Sequence, residues 1–381
     1  MKILQVNASY KPAYVYGGPT MSVAKLSEQL VKAGHTLAVY CTTANGSNEL
    51  PVTPNKPAVI AGVTVTYFKR ITKDHTHFSP ALLTNLWHTA RQFDVIHIHA
   101  WWNLVSVFAA LIGLLKKVPV VISPRGTLSN YSFNNKNQGL KSLLHNLLGK
   151  TLLKRSYLHA TSSAEKAELL SIVQPVGIFD IPNFVKIAKT SPLKKPTSPV
   201  LKLLFLSRIE EKKGLDILLH ALPHITVSYH LTIAGDGDED YIEVLKNIAY
   251  YNKTAQHISW IGFQDEAKFD VYAAHDLLVL PSHNENFGNV VIESLSAGTP
   301  VLISEHVGLA NYVIINNLGW FCQTTAQSVS DIINHIALNE RDQLTAISAS
   351  APAIIRRDFD DDKLVQKYMD MYQYITTHVR L

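Results

Sequence analysis

Strand-like and helix-like segments alternate along nearly the whole of this 381-residue chain. Short runs rich in Val, Ile and Leu are each followed by a longer stretch with apolar residues at helical spacing. Parallel strands need a long crossover to return to the same end of a sheet, so this alternation points to α/β folding with parallel sheets. In the first half the pattern predicts strands at 2–6, 36–41, 63–68, 95–99, 118–123, 158–161 and 178–181. It predicts helices at 19–33, 80–92, 104–116, 139–155 and 164–171. From 188 to 199 the chain turns rich in Lys, Pro, Ser and Thr, which reads as a linker. A second series follows, with strands at 202–206, 231–234, 258–261, 277–280 and 301–304. Its helices fall at 214–222, 241–249, 266–274 and 289–297. The expected organisation is therefore a domain over 1–185, a linker over 186–200 and a second domain over 201–355. Two doubly wound units in tandem would face each other across a cleft at the carboxyl ends of their strands.

Length and composition allow two separate cores: 47% of residues are apolar and 17% charged. The two cysteines, Cys41 and Cys322, have no partner at metal-binding spacing and read as reduced core thiols of a cytoplasmic protein. Residues 1–8 read as a buried strand and not as a leader, and the apolar run 104–115 is too short to cross a bilayer. Charge is uneven: residues 1–185 carry a net +11 and the remainder −6. A basic front half suggests an anionic partner. No nucleic-acid-binding signature accompanies it, so an anionic membrane surface or a phosphorylated acceptor is favoured over nucleic acid. A basic, Leu-rich helix over 139–155 could lie on such a surface.

Two glutamates eight positions apart, Glu285 and Glu293, span the passage from a strand end into a helix. The backbone N–H groups of Asn286, Phe287, Gly288, Asn289 and Val290 lie between them at the expected helix start, where an anion is well received. One short stretch thus offers acceptors for hydroxyls and donors for phosphate, a combination that suits a nucleotide-sugar. Arg208 and Lys213 lie five positions apart at another strand–loop–helix junction. Arg grips phosphate oxygens in pairs and Lys acts as a compact charge, so both suit a leaving diphosphate. Their neighbour Lys212 is expected to be exposed. Gly17 and Gly18, in the first strand-to-helix loop, let backbone amides approach a ligand without Cβ interference. Gly235 opens a further turn, Gly235-Asp236-Gly237. Asp238 to Asp240 read there as helix-start charge and not as a metal site. His97 and His99 share one face of a strand, followed by Trp101. Arg125 ends the next strand and cannot act as a base at neutral pH, so an anionic donor or acceptor group is its natural partner.

These motifs resemble those of retaining glycosyltransferases of the GT-B fold, in particular glycosyltransferase family four of the bacterial cell-surface polysaccharide type. The resemblance rests on the E-x7-E segment at Glu285 and Glu293, the R-x4-K-G segment at Arg208 to Gly214, the H-x-H strand end at His97 and His99, and the glycine loop at Gly17-Gly18. It implies two Rossmann-like domains, with residues 356–381 forming a helix that crosses back to the first. It implies transfer of a hexosyl-type group from a nucleotide diphosphate sugar, with UDP favoured, to a saccharide or lipid-linked saccharide. Arg208, Lys213 and Glu285 are then the catalytic candidates. Gly17, Gly18, Gly235, Asn286 to Val290 and Glu293 join Arg208 and Lys213 on the donor. His99, Trp101 and Arg125 fall on the sugar or acceptor side. No metal and no cofactor are expected, the nucleotide-sugar being a substrate. The expected location is cytoplasmic, peripheral at the inner face of the plasma membrane. Two departures stand out: Arg125 occupies a position where many members carry His, and Phe184 replaces the usual Gly after Pro182-Asn183. A nucleotide-sugar epimerase of the same fold is the alternative. A glycosidase would leave the cationic pair without a task, and a sensor would bind donor without turnover.

Overall fold

The computed structural model describes residues 1–128, 148–189, 199–265 and 267–378. The chain divides into two compact units: unit 1 comprises Met1–Phe184 and Asp361–Leu381, and unit 2 comprises Val185–Asp360.

Unit 1 is built on an eight-stranded sheet. Its strands are β1 (Lys2–Asn7), β2 (Thr36–Thr42), β5 (Pro57–Ile60), β6 (Val63–Phe68), β7 (Val95–His99), β8 (Val120–Ser123), β9 (Tyr157–Ala160) and β10 (Gly177–Asp180). β3 (Ala44–Asn45) and β4 (Asn48–Glu49) form a separate small pair. The order is β10-β9-β8-β7-β1-β2-β6-β5, parallel throughout except for the antiparallel edge strand β5. Sequence reasoning missed β5 because an edge strand buries no face, and Val59 within it is 72% exposed. The crossover helices are α1 (Gly18–Lys32), α2 (Pro80–Thr89), α3 (Leu104–Leu115), α4 (Lys150–Lys154) and α5 (Ser163–Ile172). Ser79, Asn103 and Ser162 cap α2, α3 and α5 through side-chain oxygens that accept backbone N–H groups. Of the basic helix expected over 139–155, residues 139–147 lie outside the described residues.

Strand alternation divides the interior of unit 1 into two cores. Ile3, Val39 and Val65 pack on one face, and Leu4, Val6, Ile96 and Ile98 on the other. The first core is completed by the terminal helix, Asp361–Thr377, through Leu364, Tyr368, Met371, Tyr372 and Ile375. Phe184 lies within the same core. Its ring stacks on Tyr368 with centroids 5.6 Å apart, which gives the residue in the usual Gly position a packing role.

Unit 2 carries a six-stranded parallel sheet: β11 (Leu201–Leu206), β12 (Tyr229–Ala234), β13 (Ile258–Gly262), β14 (Leu277–Leu280), β15 (Val301–Ser304) and β16 (Gly319–Cys322). The order is β13-β12-β11-β14-β15-β16. Chain order thus reverses direction once, between β11 and β14. In unit 1 the same reversal falls between β1 and β7. Ligands of open α/β sheets sit at the carboxyl ends of strands at such points. The helices of unit 2 are α6 (Leu215–Ala221), α7 (Glu239–Tyr251), α8 (Lys268–Ala273), α9 (Asn289–Ser296), α10 (Ala310–Ile315), α11 (Ala326–Asn339) and α12 (Arg341–Asp358). β16 and the helices α10 to α12 fall in a stretch where the sequence reading assigned no elements. Val185 and Ala188, placed at the edge of the expected linker, are buried in the core of unit 2. Phe359 belongs to that core as well, edge-on to Tyr312 and Phe287, so the terminal helix begins only at Asp361.

Candidate active site

In unit 2 the site residues gather where the strand order reverses. β11 ends at Leu206, and Arg208 and Lys213 follow in its loop. β14 ends at Leu280, and its loop carries Glu285. The two loops are laced together: the His283 amide donates to the Lys212 carbonyl at 2.9 Å. Gly214 is left-handed, with φ 69°, and a Cβ there would strike the Pro281 carbonyl oxygen. The glycine of the R-x4-K-G segment is thus required for close approach of the two loops. Lys213 is buried, and its ammonium donates to Glu285 Oε2 in a close ion pair. Glu285 is fixed through its backbone as well. Its N–H donates to His306 O at 3.0 Å and its carbonyl accepts from the Gly308 amide at 2.8 Å.

Arg208 is more open than Lys213. Its Nη1 lies 2.7 Å from Glu210 Oε1, while Lys212 Nζ lies 3.1 Å from Glu210 Oε2. Burial alone would raise the Glu210 carboxyl, but the flanking Arg208 and Lys212 outweigh it and hold the group below its ordinary value. Lys212 is accordingly half-buried and ion-paired, not the exposed neighbour that the sequence suggested. The Gly235–Gly237 turn packs directly on the Arg208 loop. A Cβ at Gly235 would overlap the Ser207 carbonyl oxygen, and Ile209 N–H donates to Asp236 O at 2.8 Å. Gly235 therefore positions the backbone on either side of Arg208. Asp238 caps α7, its side chain accepting the Tyr241 amide.

Gly288, with φ 94°, is the N-cap of α9, and the helix then opens with Asn289 and Val290. The Phe287 ring is buried in the core, so only its backbone remains to meet a ligand. Glu293 on α9 is buried, with Oε1 at 2.7 Å from Lys268 Nζ and Oε2 at 3.2 Å from the Tyr272 hydroxyl. Burial raises its pKa, against the pull of Lys268 and Tyr272. Lys268 and Tyr272 lie on α8 and escaped the sequence reading. No local spacing marks them as partners of Glu293, which lies on another helix.

In unit 1, Gly17 takes φ 65° between a short turn at Tyr14–Tyr16 and helix α1, and Gly18 is the first residue of that helix. His99 ends β7 and Arg125 follows β8. Arg125 Nε donates to His99 Nδ1 at 3.2 Å, and Nη1 donates to Ser22 Oγ at 3.0 Å and to Asn183 Oδ1 at 2.6 Å. Arg125, Ala100 and Trp102 all take positive φ, an uncommon choice for residues with a Cβ. Trp101 was expected on the sugar side. Its ring is instead 2% exposed and packed in the second core of unit 1, so it has no face to offer a sugar. His97 is wholly buried in a chain of hydrogen bonds. His159 Nε2 faces Ile181 O at 2.8 Å and can only donate there, which leaves His159 Nδ1 to accept from Ser123 Oγ at 2.6 Å. Ser123 in turn accepts from His97 Nε2 at 2.6 Å, and His97 Nδ1 accepts from the Tyr372 hydroxyl at 2.7 Å. Burial, with the charge of Arg125, draws His159 down to about 3. The same burial, aided by neighbouring histidines, holds His97 and His99 well below the ordinary value.

Comparison with known proteins places this geometry. Residues 16–189 match the family described as Glycosyltransferase Family 4, and residues 189–352 match Glycosyl transferases group 1. A glycogen synthase of Mycobacterium tuberculosis is 27% identical over 347 residues, spanning 84% of this chain and 82% of its own. Among solved structures, sucrose-phosphate synthase from Thermosynechococcus elongatus superposes with a TM-score of 0.78 at 17% identity, over 100% of both chains. HepE of Anabaena, solved in complex with UDP-glucose, superposes with a TM-score of 0.73 at 20% identity, over 98% of this chain and 100% of its own. With two adjacent family matches running from residue 16 to residue 352 and two Rossmann-like sheets beneath them, this chain is a GT-B glycosyltransferase and belongs to glycosyltransferase family four.

Proposed function

We propose that this glycosyltransferase works with retention of configuration. In this reading it moves a hexosyl group from a UDP-sugar to a saccharide or lipid-linked saccharide during surface polysaccharide synthesis. The observation that carries the reading is the partly buried Lys213–Glu285 ion pair next to the N-terminus of α9, with Glu293 on the same helix. A diphosphate placed there meets a fixed ammonium, the Arg208 guanidinium and the first amides of a helix. In this reading Arg208 and Lys213 stabilise the charge that grows on the leaving diphosphate. The bond from the anomeric carbon to the diphosphate oxygen breaks as the acceptor hydroxyl attacks the same face. The released phosphate takes the hydroxyl proton, so neither glutamate need act as a base. Glu285 orients the donor sugar, and Glu293 accepts from the ribose hydroxyls alongside Lys268 and Tyr272. The cations supply the charge stabilisation, so the scheme calls for no metal.

A UDP donor is supported by HepE, whose structures hold UDP and UDP-glucose. A polysaccharide product is in keeping with the glycogen synthase relative and with a structural neighbour involved in lipopolysaccharide biosynthesis. No helix among the described residues is long and apolar enough to cross a membrane. The basic first half suits a cytoplasmic enzyme held at an anionic membrane face. Thermal shift against UDP, GDP and their glucose conjugates tests the donor assignment. UDP and UDP-glucose should raise Tm, and Arg208→Ala should diminish that response. A chain indifferent to every nucleotide would end the proposal.

A further inference from the structure

Arg125 forms no ion pair among the described residues. Its guanidinium contacts His99, Ser22, Asn183 and the Tyr368 hydroxyl, all of which are neutral. Glu165 is the acidic group whose field reaches it. That carboxylate is already engaged by the amides of Gly126 and Thr161 and by the Thr161 hydroxyl. Holding a partly buried charge without a counter-charge is costly, so such a group is retained where an anion arrives to meet it.

His99 gives the second observation. Arg125 can only donate, so His99 Nδ1 accepts, and the neutral ring must carry its proton on Nε2. That Nε2 is buried, in a residue 2% exposed, and has no hydrogen-bond partner among the described residues. The register pairs Val6 with Ile98, so the next step along both strands sets Asn7 beside His99. The Asn7 side-chain amide nitrogen is likewise buried and without a partner among the described residues. Two N–H donors with no partner among the described residues and a guanidinium outside any ion pair thus collect at the carboxyl ends of β1, β7 and β8, at the point where the strand order of unit 1 reverses.

We propose that Arg125, with the donors of His99 and Asn7, forms an oxyanion-binding site in unit 1 that takes a phosphate or carboxylate carried by a substrate. Resting on the glycosyltransferase reading above, the site would select an anionic sugar as acceptor. The diphosphate of the donor is the other source of the same chemistry.

The test is thermal shift on the full chain at fixed ionic strength, with inorganic phosphate, glucose 6-phosphate, glucose and UDP as separate probes, for wild type and Arg125→Gln. Phosphate and glucose 6-phosphate should stabilise wild type where glucose does not, and Arg125→Gln should weaken that affinity by about tenfold or more. An unchanged UDP response in the variant assigns the anion to the acceptor, and a UDP response lost with it assigns the anion to the donor. Wild type indifferent to phosphate relative to chloride, or a variant that keeps wild-type affinity for every anion, overturns the proposal. Should Arg125→Gln not fold, Arg125→Lys is read in the same way, since it keeps the charge and loses the planar fork. Failure of UDP to bind wild type would count against the donor reading and leave the phosphate arm intact.

Discussion

Lys213 and Glu285 lie 72 positions apart in sequence and meet as a close ion pair at the carboxyl edge of the unit 2 sheet. Removing one partner strands the other in a poorly solvated place. Lys213→Ala should therefore lose about 3 kcal/mol of stability and lower kcat by about 10²-fold or more. The double variant Lys213→Ala/Glu285→Ala should recover part of the stability and none of the turnover. Denaturant melts beside steady-state kinetics check both, and a double variant as active as wild type would remove Lys213 from the chemistry.

Glu293 makes stability depend on pH in a stated direction. Its folded pKa is raised by burial, so below the unfolded value its contribution is fully present, and it fades as pH rises through the folded value. Glu293→Gln should abolish this component. The Tm difference between variant and wild type should therefore shift in favour of the variant as pH climbs above the ordinary carboxylate range. A difference that stays flat from pH 4 to 7 would refute the assignment. Affinity for UDP should fall in the same variant if the carboxylate receives ribose hydroxyls.

The histidines of unit 1 act in the opposite direction. His97, His99 and His159 are packed among one another, Arg125, Tyr368 and Tyr372, and stay neutral when folded. The unfolded chain takes up their protons as pH drops below about 6.5. Stability should hold above that value and decline beneath it, by up to about 1.4 kcal/mol per pH unit for each histidine. His159→Gln should shallow the slope between pH 6.5 and 5, as urea midpoints would show.

Gly235→Ala should damage the site without touching a charged group. The new methyl must displace the Ser207 carbonyl, which adjoins Arg208. A loss of about 2 kcal/mol or more is expected, with weaker UDP binding alongside. Normal UDP affinity in a destabilised variant would separate the turn from the placement of Arg208.

The alternation of strand and helix was legible because buried parallel strands and amphipathic helices write local patterns. β7, β14 and β15 fall where the sequence reading put them. Motifs contained in one loop were equally readable, since the Arg208–Gly214 and Glu285–Glu293 segments each carry their own spacing. Partnerships across the fold were not. Nothing near Glu293 in sequence announces Lys268 or Tyr272, and nothing near Arg125 announces Asn183. Trp101 misled because an aromatic after a His-rich strand end looks the same in sequence whether it faces a ligand or the core. Lys212 misled because Glu210 bridges two cations at once.

The helix Asp361–Thr377 contributes six apolar or aromatic side chains to the core of unit 1, yet it is synthesised only after the whole of unit 2. Everything in Val185–Asp360 emerges before the amino-terminal half can be completed. Folding in the cell must then run out of chain order, with the interior segment maturing while the earlier-made sheet waits with one face unsealed. A stop codon just before Asp361 would harm the half encoded farthest from it, and nascent chains held at that stage would be the natural clients of chaperones.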